Sequence, residues 1–184
     1  MRFLLSYIFL LLAFSSGVNA QCGFDTDFSA NQQTLVMGMG LNTNRQAELL
    51  IIPTVVHIIH IGEPLGIGSN ISEAQILSAI NALNEDFRKE EGTNGFGLGV
   101  DTEIEFCMAK RDHLGNPSNG ITRSNGSVIP GYLEDGIKSG NIGVGADETE
   151  VKASVAWPRE SYLNIFVVTE IDGNDAGNGT QGYA

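Results

Sequence analysis

The residues of this chain that can do chemistry are three histidines, two cysteines and a surplus of carboxylates. His57 and His60 have the types of a metal pair, but they sit in a β-branched run, and strand side chains three apart point to opposite faces. A chelating pair needs i, i+2 on a strand or i, i+4 on a helix, so both are expected to be structural. His113 stands in a loop with no second ligand nearby in sequence and is read the same way. Glu103 and Glu105 share one face of an alternating strand, which has the residue types of an acid/base pair but is read first as a solvated outer face. Asp172-Gly173-Asn174-Asp175-Ala176-Gly177 opens like a calcium loop, yet Ala176 occupies the third ligand position and no closing Glu follows. Calcium is a secondary cofactor candidate on that basis. The sequence contains no HExxH, G-x-S-x-G, P-loop or C-x-x-C pattern. By themselves these residues form no complete catalytic apparatus.

The elements that must hold them read as an α/β (α+β) domain. Leu49 to Ile61 is almost wholly apolar and β-branched, which predicts a strand buried on both faces. Ser72-Glu73-Ala74-Gln75 matches a capping box. Behind it Ile76, Ile80, Leu83 and Phe87 form one apolar stripe, predicting a helix of about five turns that ends before Gly92. From Glu103 to Ala109, Ile104, Phe106 and Met108 face one way and Glu103, Glu105 and Cys107 the other, as in a half-buried strand. Strand, helix, strand at this spacing is a crossover unit and implies parallel pairing. Ile121-Thr122-Arg123 reads as a short extended piece and residues 124–150 as irregular, with acids clustered at Asp147, Glu148 and Glu150. Tyr162 to Ile171 is another strand, followed by a loop over Gly173 to Gly179.

The start of the chain sets the compartment. Arg2, the 12-residue apolar run Phe3 to Phe14 and a small-residue site at Val18-Asn19-Ala20 read as a secretory signal cut before Gln21. Twelve helical residues span only about 18 Å, too short for a bilayer core of about 30 Å. The organisation expected is a signal over 1–20, a polar leader or prosegment over 21–48, and one domain over 49–184. The expected location is extracellular, with no membrane attachment after signal removal. Removing the signal takes away Arg2 and no acid, so the formal net charge of −12 becomes −13. Ten Lys and Arg against 22 Asp and Glu cannot build a phosphate-tracking stripe, which excludes nucleic acid as a partner. The 23 glycines, well above the usual share of roughly 7%, predict many loops.

Several blocks then become specific in combination. They are Ile52-Pro53-Thr54-Val55-Val56-His57-Ile58-Ile59-His60, Leu83-Asn84-Glu85-Asp86-Phe87-Arg88, and Ile104-Glu105-Phe106-Cys107-Met108-Ala109. Gly115-Asn116-Pro117 with Gly120-Ile121-Thr122-Arg123 follows, then Lys152, Ala156-Trp157 and Tyr162-Leu163-Asn164-Ile165-Phe166-Val167, and finally Gly182-Tyr183-Ala184. In that order and at those gaps the chain resembles the pappalysin-type (cytophagalysin-like) secreted zinc metallopeptidases of the metzincin clan, from about residue 51 to its last residue.

The resemblance implies a zincin-like upper subdomain, with a mixed twisted sheet and a long backing helix. It also implies a zinc cofactor held by an HExxHxxGxxH helix downstream, whose Glu activates a metal-bound water against a peptide carbonyl. The sequence departs from the family by stopping at Ala184, before that helix. It therefore reads as the front part of a peptidase domain, not expected to cleave peptides by itself, with no catalytic or metal residue assigned. Protein or peptide substrates are the expected partners. By resemblance, Gly182, Tyr183 and Ala184 begin the edge strand that pairs with substrate backbone. The rival expectation is a non-catalytic secreted binding or adhesion module on the same sheet.

Cys22 admits three readings. It is a prosegment thiolate that occupies an open zinc position, half of a Cys22–Cys107 disulfide pinning the leader to the sheet, or a free thiol.

Overall fold

The computed structural model describes residues 49–140, 143–174 and 179–184. The expected signal and leader, with Cys22, lie outside the described residues, as do Asp175, Ala176 and Gly177 of the calcium-like loop.

The β-branched run forms strand β1, Leu50–His60, and Thr54 through Ile59 are buried without a break. Helix α1, Glu73–Phe87, follows, then β2, Ile104–Met108, and β3, Ile121–Asn125. β2 pairs parallel with the first half of β1, from Leu50 opposite Ile104 to Thr54 opposite Met108. β3 pairs parallel with the second half, from Val56 opposite Ile121 to His60 opposite Asn125. The last strand, β6, Leu163–Val167, pairs parallel with Thr54 to Ile58. Because β6 overlaps both other partners along β1, it must take the opposite edge. β2 and β3 thus run end to end on one edge of β1, and β6 lies on the other.

The two collinear strands meet at Gly120. Its φ is +74°, and a Cβ there would come within 2.8 Å of the Ala109 nitrogen and 3.1 Å of the Thr54 carbonyl oxygen. Residues 110–119 can leave and re-enter the same edge of the sheet only because this position has no side chain. Pro53 sits where a missing N–H costs little. The Leu50 N–H bonds to the Glu103 carbonyl on the β2 side, so by alternation residue 53 faces the β6 side, and β6 starts pairing only at Thr54.

The capping box forms as expected: the Ser72 side chain accepts from the Gln75 N–H, and the Gln75 side chain accepts from the Ser72 N–H. Ile76 and Ile80 pack with Val56, Ile58, Phe106 and Met108, and Leu83 and Phe87 border the same cluster. The helix has 15 residues, about four turns rather than five, because Arg88 caps it and Lys89 takes a positive φ of 50°.

The other face of the sheet is covered by the segment expected to be irregular. It folds into a 3₁₀ turn at Gly126–Val128, one-turn helix α2 (Tyr132–Asp135), the short parallel pair β4 (Ile137–Lys138) and β5 (Ala146–Asp147), and helix α3 (Glu148–Val155). The acid cluster is the start of α3: the Asp147 carboxylate caps it by accepting from the Thr149 and Glu150 N–H groups. Tyr132, Ile137, Ala146, Val151 and Ile171 pack with Ile59 in this second layer. The expected mixed sheet is not found. Every pairing of the described strands is parallel, and residues 179–184 belong to no strand.

Candidate functional site

His57 is the centre of the sheet's polar chemistry. It has no exposed surface, and it points away from α1 between β3 and β6. Its Nε2 lies 2.8 Å from Asn164 Oδ1 and its Nδ1 2.6 Å from Thr122 Oγ1. The Asn164 orientation is fixed by its backbone partners. Nδ2 donates to the Trp157 and Tyr162 carbonyls, and Oδ1 accepts the Trp157 N–H. Oδ1 must therefore accept from His57 Nε2–H, which leaves Nδ1 to accept from the Thr122 hydroxyl. Phe166 stacks on the imidazole at 5.1 Å, and Trp157 meets it edge-on at 6.4 Å. Burial pushes the His57 pKa down, against the Asn164 bond that raises it. The residue is a neutral tie between β1, β3 and β6, with both ring nitrogens occupied.

The described residues do not fit a zinc ion. No group of three or more His, Cys, Asp or Glu is placed to hold a metal among them. His57 is fully bonded, His60 Nδ1 accepts the Gly62 N–H at 3.0 Å, and His113 lies edge-on to Trp157. The first residue of the calcium-like loop is also committed, since the Asp172 carboxylate accepts from the N–H and the hydroxyl of Ser139. Glu103 lies before β2 with a φ of 57°, so it and Glu105 do not share a strand as expected. Glu105 instead lies 3.7 Å from Arg88.

A second group gathers at the outer edge of β6. Lys152 Nζ donates to Glu148 Oε2 at 2.8 Å and stands 4.7 Å over the Tyr183 ring and 5.8 Å over Phe166. The Tyr183 hydroxyl donates to the same Glu148 oxygen. The Lys152 bond, then the Tyr183 bond, hold the Glu148 carboxyl below its usual range. Burial lowers the Lys152 pKa, but the bond to Glu148 and nearby charge outweigh it and the net shift is upward. The Tyr183 phenol is raised, first by burial and then by its bond to Glu148. Gln181, Gly182, Tyr183 and Ala184 lie along a groove of about 450 Å³ whose other wall is β6. Gly182–Tyr183–Ala184 is therefore beside a strand edge but is not itself a strand, and the Tyr183 ring rests on Lys152. Cys107 is disulfide-bonded, and no cysteine among the described residues is free.

Sequence reasoning singled out neither Thr122 nor Asn164 as functional. The signal was there: Asn164 interrupts the apolar run Leu163 to Val168, where strand preference disfavours it.

These features define an α/β domain on a parallel sheet, with a structural histidine at its centre and an open strand edge beside a charged pair. No family model matches the chain, and no curated protein sequence matches it. Among solved structures it is similar to mirolysin in complex with compound 9, at 31% identity, covering 67% of this chain and 44% of that one, with a TM-score of 0.48. It is similar also to mature mirolysin of Tannerella forsythia in complex with a cleaved peptide, at 32% identity, 65% and 42% coverage and a TM-score of 0.49. A promirolysin variant of Tannerella forsythia gives 32%, 65% and 37%, with a TM-score of 0.46. Mirolysin is a metallopeptidase. The chain spans less than half the length of the mirolysin structures it matches.

Proposed function

We propose that this chain is the sheet-bearing front part of a secreted zinc-dependent metalloendopeptidase of the pappalysin type. In that reading the HExxHxxGxxH helix is supplied by residues that are not among these 184. The observation that carries the reading is where the resembling blocks meet. The blocks holding His57, Thr122 and the Trp157–Asn164 pair lie far apart in sequence, and they converge on one buried network at the centre of the parallel sheet. The network's role is to fix the strands, and through them the edge against which a peptide is laid.

Since the described residues hold no zinc-binding group, zinc would be bound entirely by the downstream helix, and no catalytic step is assigned to this chain. Its own contribution is positional. The outer edge of β6 and the groove beside Tyr183 are the surface available for a peptide backbone. No observation favours a non-catalytic adhesion module.

The test is to express the protein with the coding sequence that follows the Ala184 codon and assay peptide cleavage with and without a zinc chelator. Chelator-sensitive cleavage, abolished when the downstream Glu of HExxH is replaced by Ala, is the expected result. A stop codon directly after Ala184, or a downstream frame with no HExxH, overturns the proposal.

A further inference from the structure

Residues 179–184 run beside β6 but belong to no strand, so no ladder sets their distance from it. Side chains do so instead. The Asn174 Nδ2 donates to the Thr180 carbonyl at 3.1 Å, and three residues further on Tyr183 meets Lys152 and Glu148.

The wall of the groove on β6 is held from within the sheet. Phe166 stacks on buried His57 at 5.1 Å, and both nitrogens of that imidazole are bonded, to Thr122 and Asn164. Lys152 Nζ stands 5.8 Å over the Phe166 ring and 4.7 Å over the Tyr183 ring. One ammonium therefore faces both walls of the groove, the fixed one on β6 and the one that no strand pairing holds. Its attraction to each aromatic face is electrostatic, and an aliphatic side chain of the same length cannot replace it. Glu148, one helical turn earlier on α3, bonds the ammonium and the Tyr183 hydroxyl through the same oxygen. That carboxylate offsets the charge of Lys152 and fixes where it sits. Lys152 also borders the neighbouring hollow of about 800 Å³ beside Pro53, Trp157 and Tyr162. Both openings onto the outer side of β6 thus depend on its place.

Resting on the peptidase reading above, we propose that Lys152 is a positioning residue for the substrate. Its ammonium, held by Glu148, ties the Tyr183 wall to the Phe166 wall and so fixes the width of the groove in which the peptide lies. Because Glu148 already pairs the charge, Lys152 acts through Tyr183 and not by binding a carboxylate of the peptide.

The test uses the chain extended through its downstream coding sequence, with an acidic and a basic peptide of equal length as substrates. Lys152→Met should raise KM about five- to tenfold for both peptides, the size of a lost cation–π contact, with kcat within about twofold of wild type. Lys152→Arg, which keeps the charge and stacks on aromatic faces, should restore most of the loss. Tyr183→Leu should raise KM by a similar factor and add little to Lys152→Met, since both remove one contact. Amide exchange over residues 181–184 should quicken in either variant. Lys89→Met removes the same kind of contact from Phe96 in the loop after α1 and should change neither readout. A wild-type KM in Lys152→Met, a loss in kcat alone, or a loss confined to the acidic peptide overturns the inference. If Lys152→Met does not fold, an unchanged KM in Tyr183→Leu overturns it equally. An extended wild-type chain without chelator-sensitive cleavage fails differently: the peptidase reading falls, and this inference with it.

Discussion

The side-chain amide of Asn84 satisfies both polar groups of Phe106: Nδ2 donates to its carbonyl at 2.9 Å and Oδ1 accepts its N–H at 2.7 Å. A helix residue thereby takes the place of another strand on the outer edge of β2. The arrangement fixes α1 to the sheet and leaves that stretch of edge unavailable to another chain. Replacing Asn84 with Ala strands one donor and one acceptor in a half-buried place. The expected loss is about 1–3 kcal/mol in urea unfolding. Asn84→Asp should do no better, because a carboxylate accepts the N–H but repels the carbonyl. A loss below 0.5 kcal/mol, on the order of measurement error, in both variants would show that the edge is satisfied by water.

Asn164 is the keystone on the opposite face. It bonds the Trp157 N–H and carbonyl, the Tyr162 carbonyl and His57. An Asn164→Leu chain keeps the volume and loses every one of these bonds. The expected cost is about 2–4 kcal/mol, since several buried groups are left unpaired together. Near-ultraviolet circular dichroism should show a loosened Trp157 environment.

Acid should weaken the fold in two separate windows. His57 has its folded pKa below the usual 6.5 through burial. The unfolded chain therefore takes up the proton first, and stability falls as pH drops from 6.5 toward the folded value. Melting temperatures of wild type and His57→Gln measured from pH 8 to pH 5 should differ in slope, the variant being flatter. Glu63 acts lower. Its carboxylate accepts the Ser69 N–H above all, then the Ser69 hydroxyl and the Ile61 N–H, and these bonds hold its pKa at about 2 instead of 4.5. That contribution is complete above pH 4.5 and disappears as pH falls toward 2. Wild type and Glu63→Gln should therefore melt apart at pH 6 and converge near the acid end.

How much of this was legible in sequence depended on the length of the pattern. β1 and α1 carry repeating signals over 11 and 15 residues, and both were readable, down to the Ser72–Gln75 cap. The second layer was not, because its elements run from two to eight residues, too short for any period to emerge. The site divides in the same way. That His57 and His60 could not chelate together followed from strand alternation alone. The partners of His57 did not, since Thr122 and Asn164 lie 65 and 107 positions away and meet it only through the sheet register. Gly182–Tyr183–Ala184 was expected as a strand, but nothing local in three residues specifies one. The contact of Tyr183 with Lys152 and Glu148 was invisible before the fold was known.

Gly120 tests the collinear arrangement of β2 and β3 most directly. Its positive φ costs an L-residue roughly 1–2 kcal/mol, and the space for a Cβ is taken by Ala109 backbone at 2.8 Å and the Met108 methyl at 3.0 Å. Backbone on one side cannot give way as a flexible side chain tip would. Gly120→Ala should therefore destabilise by about 2–4 kcal/mol, combining strain and overpacking. Gly115 supplies the control: it too has a positive φ, of 86°, but nothing lies within 4 Å of its Cβ position. Gly115→Ala should cost only the backbone strain, roughly 1–2 kcal/mol. The difference between the two variants isolates the crowding at the junction. Equal losses at both sites would mean that the chain re-enters the sheet less tightly than the Ala109–Gly120 approach implies.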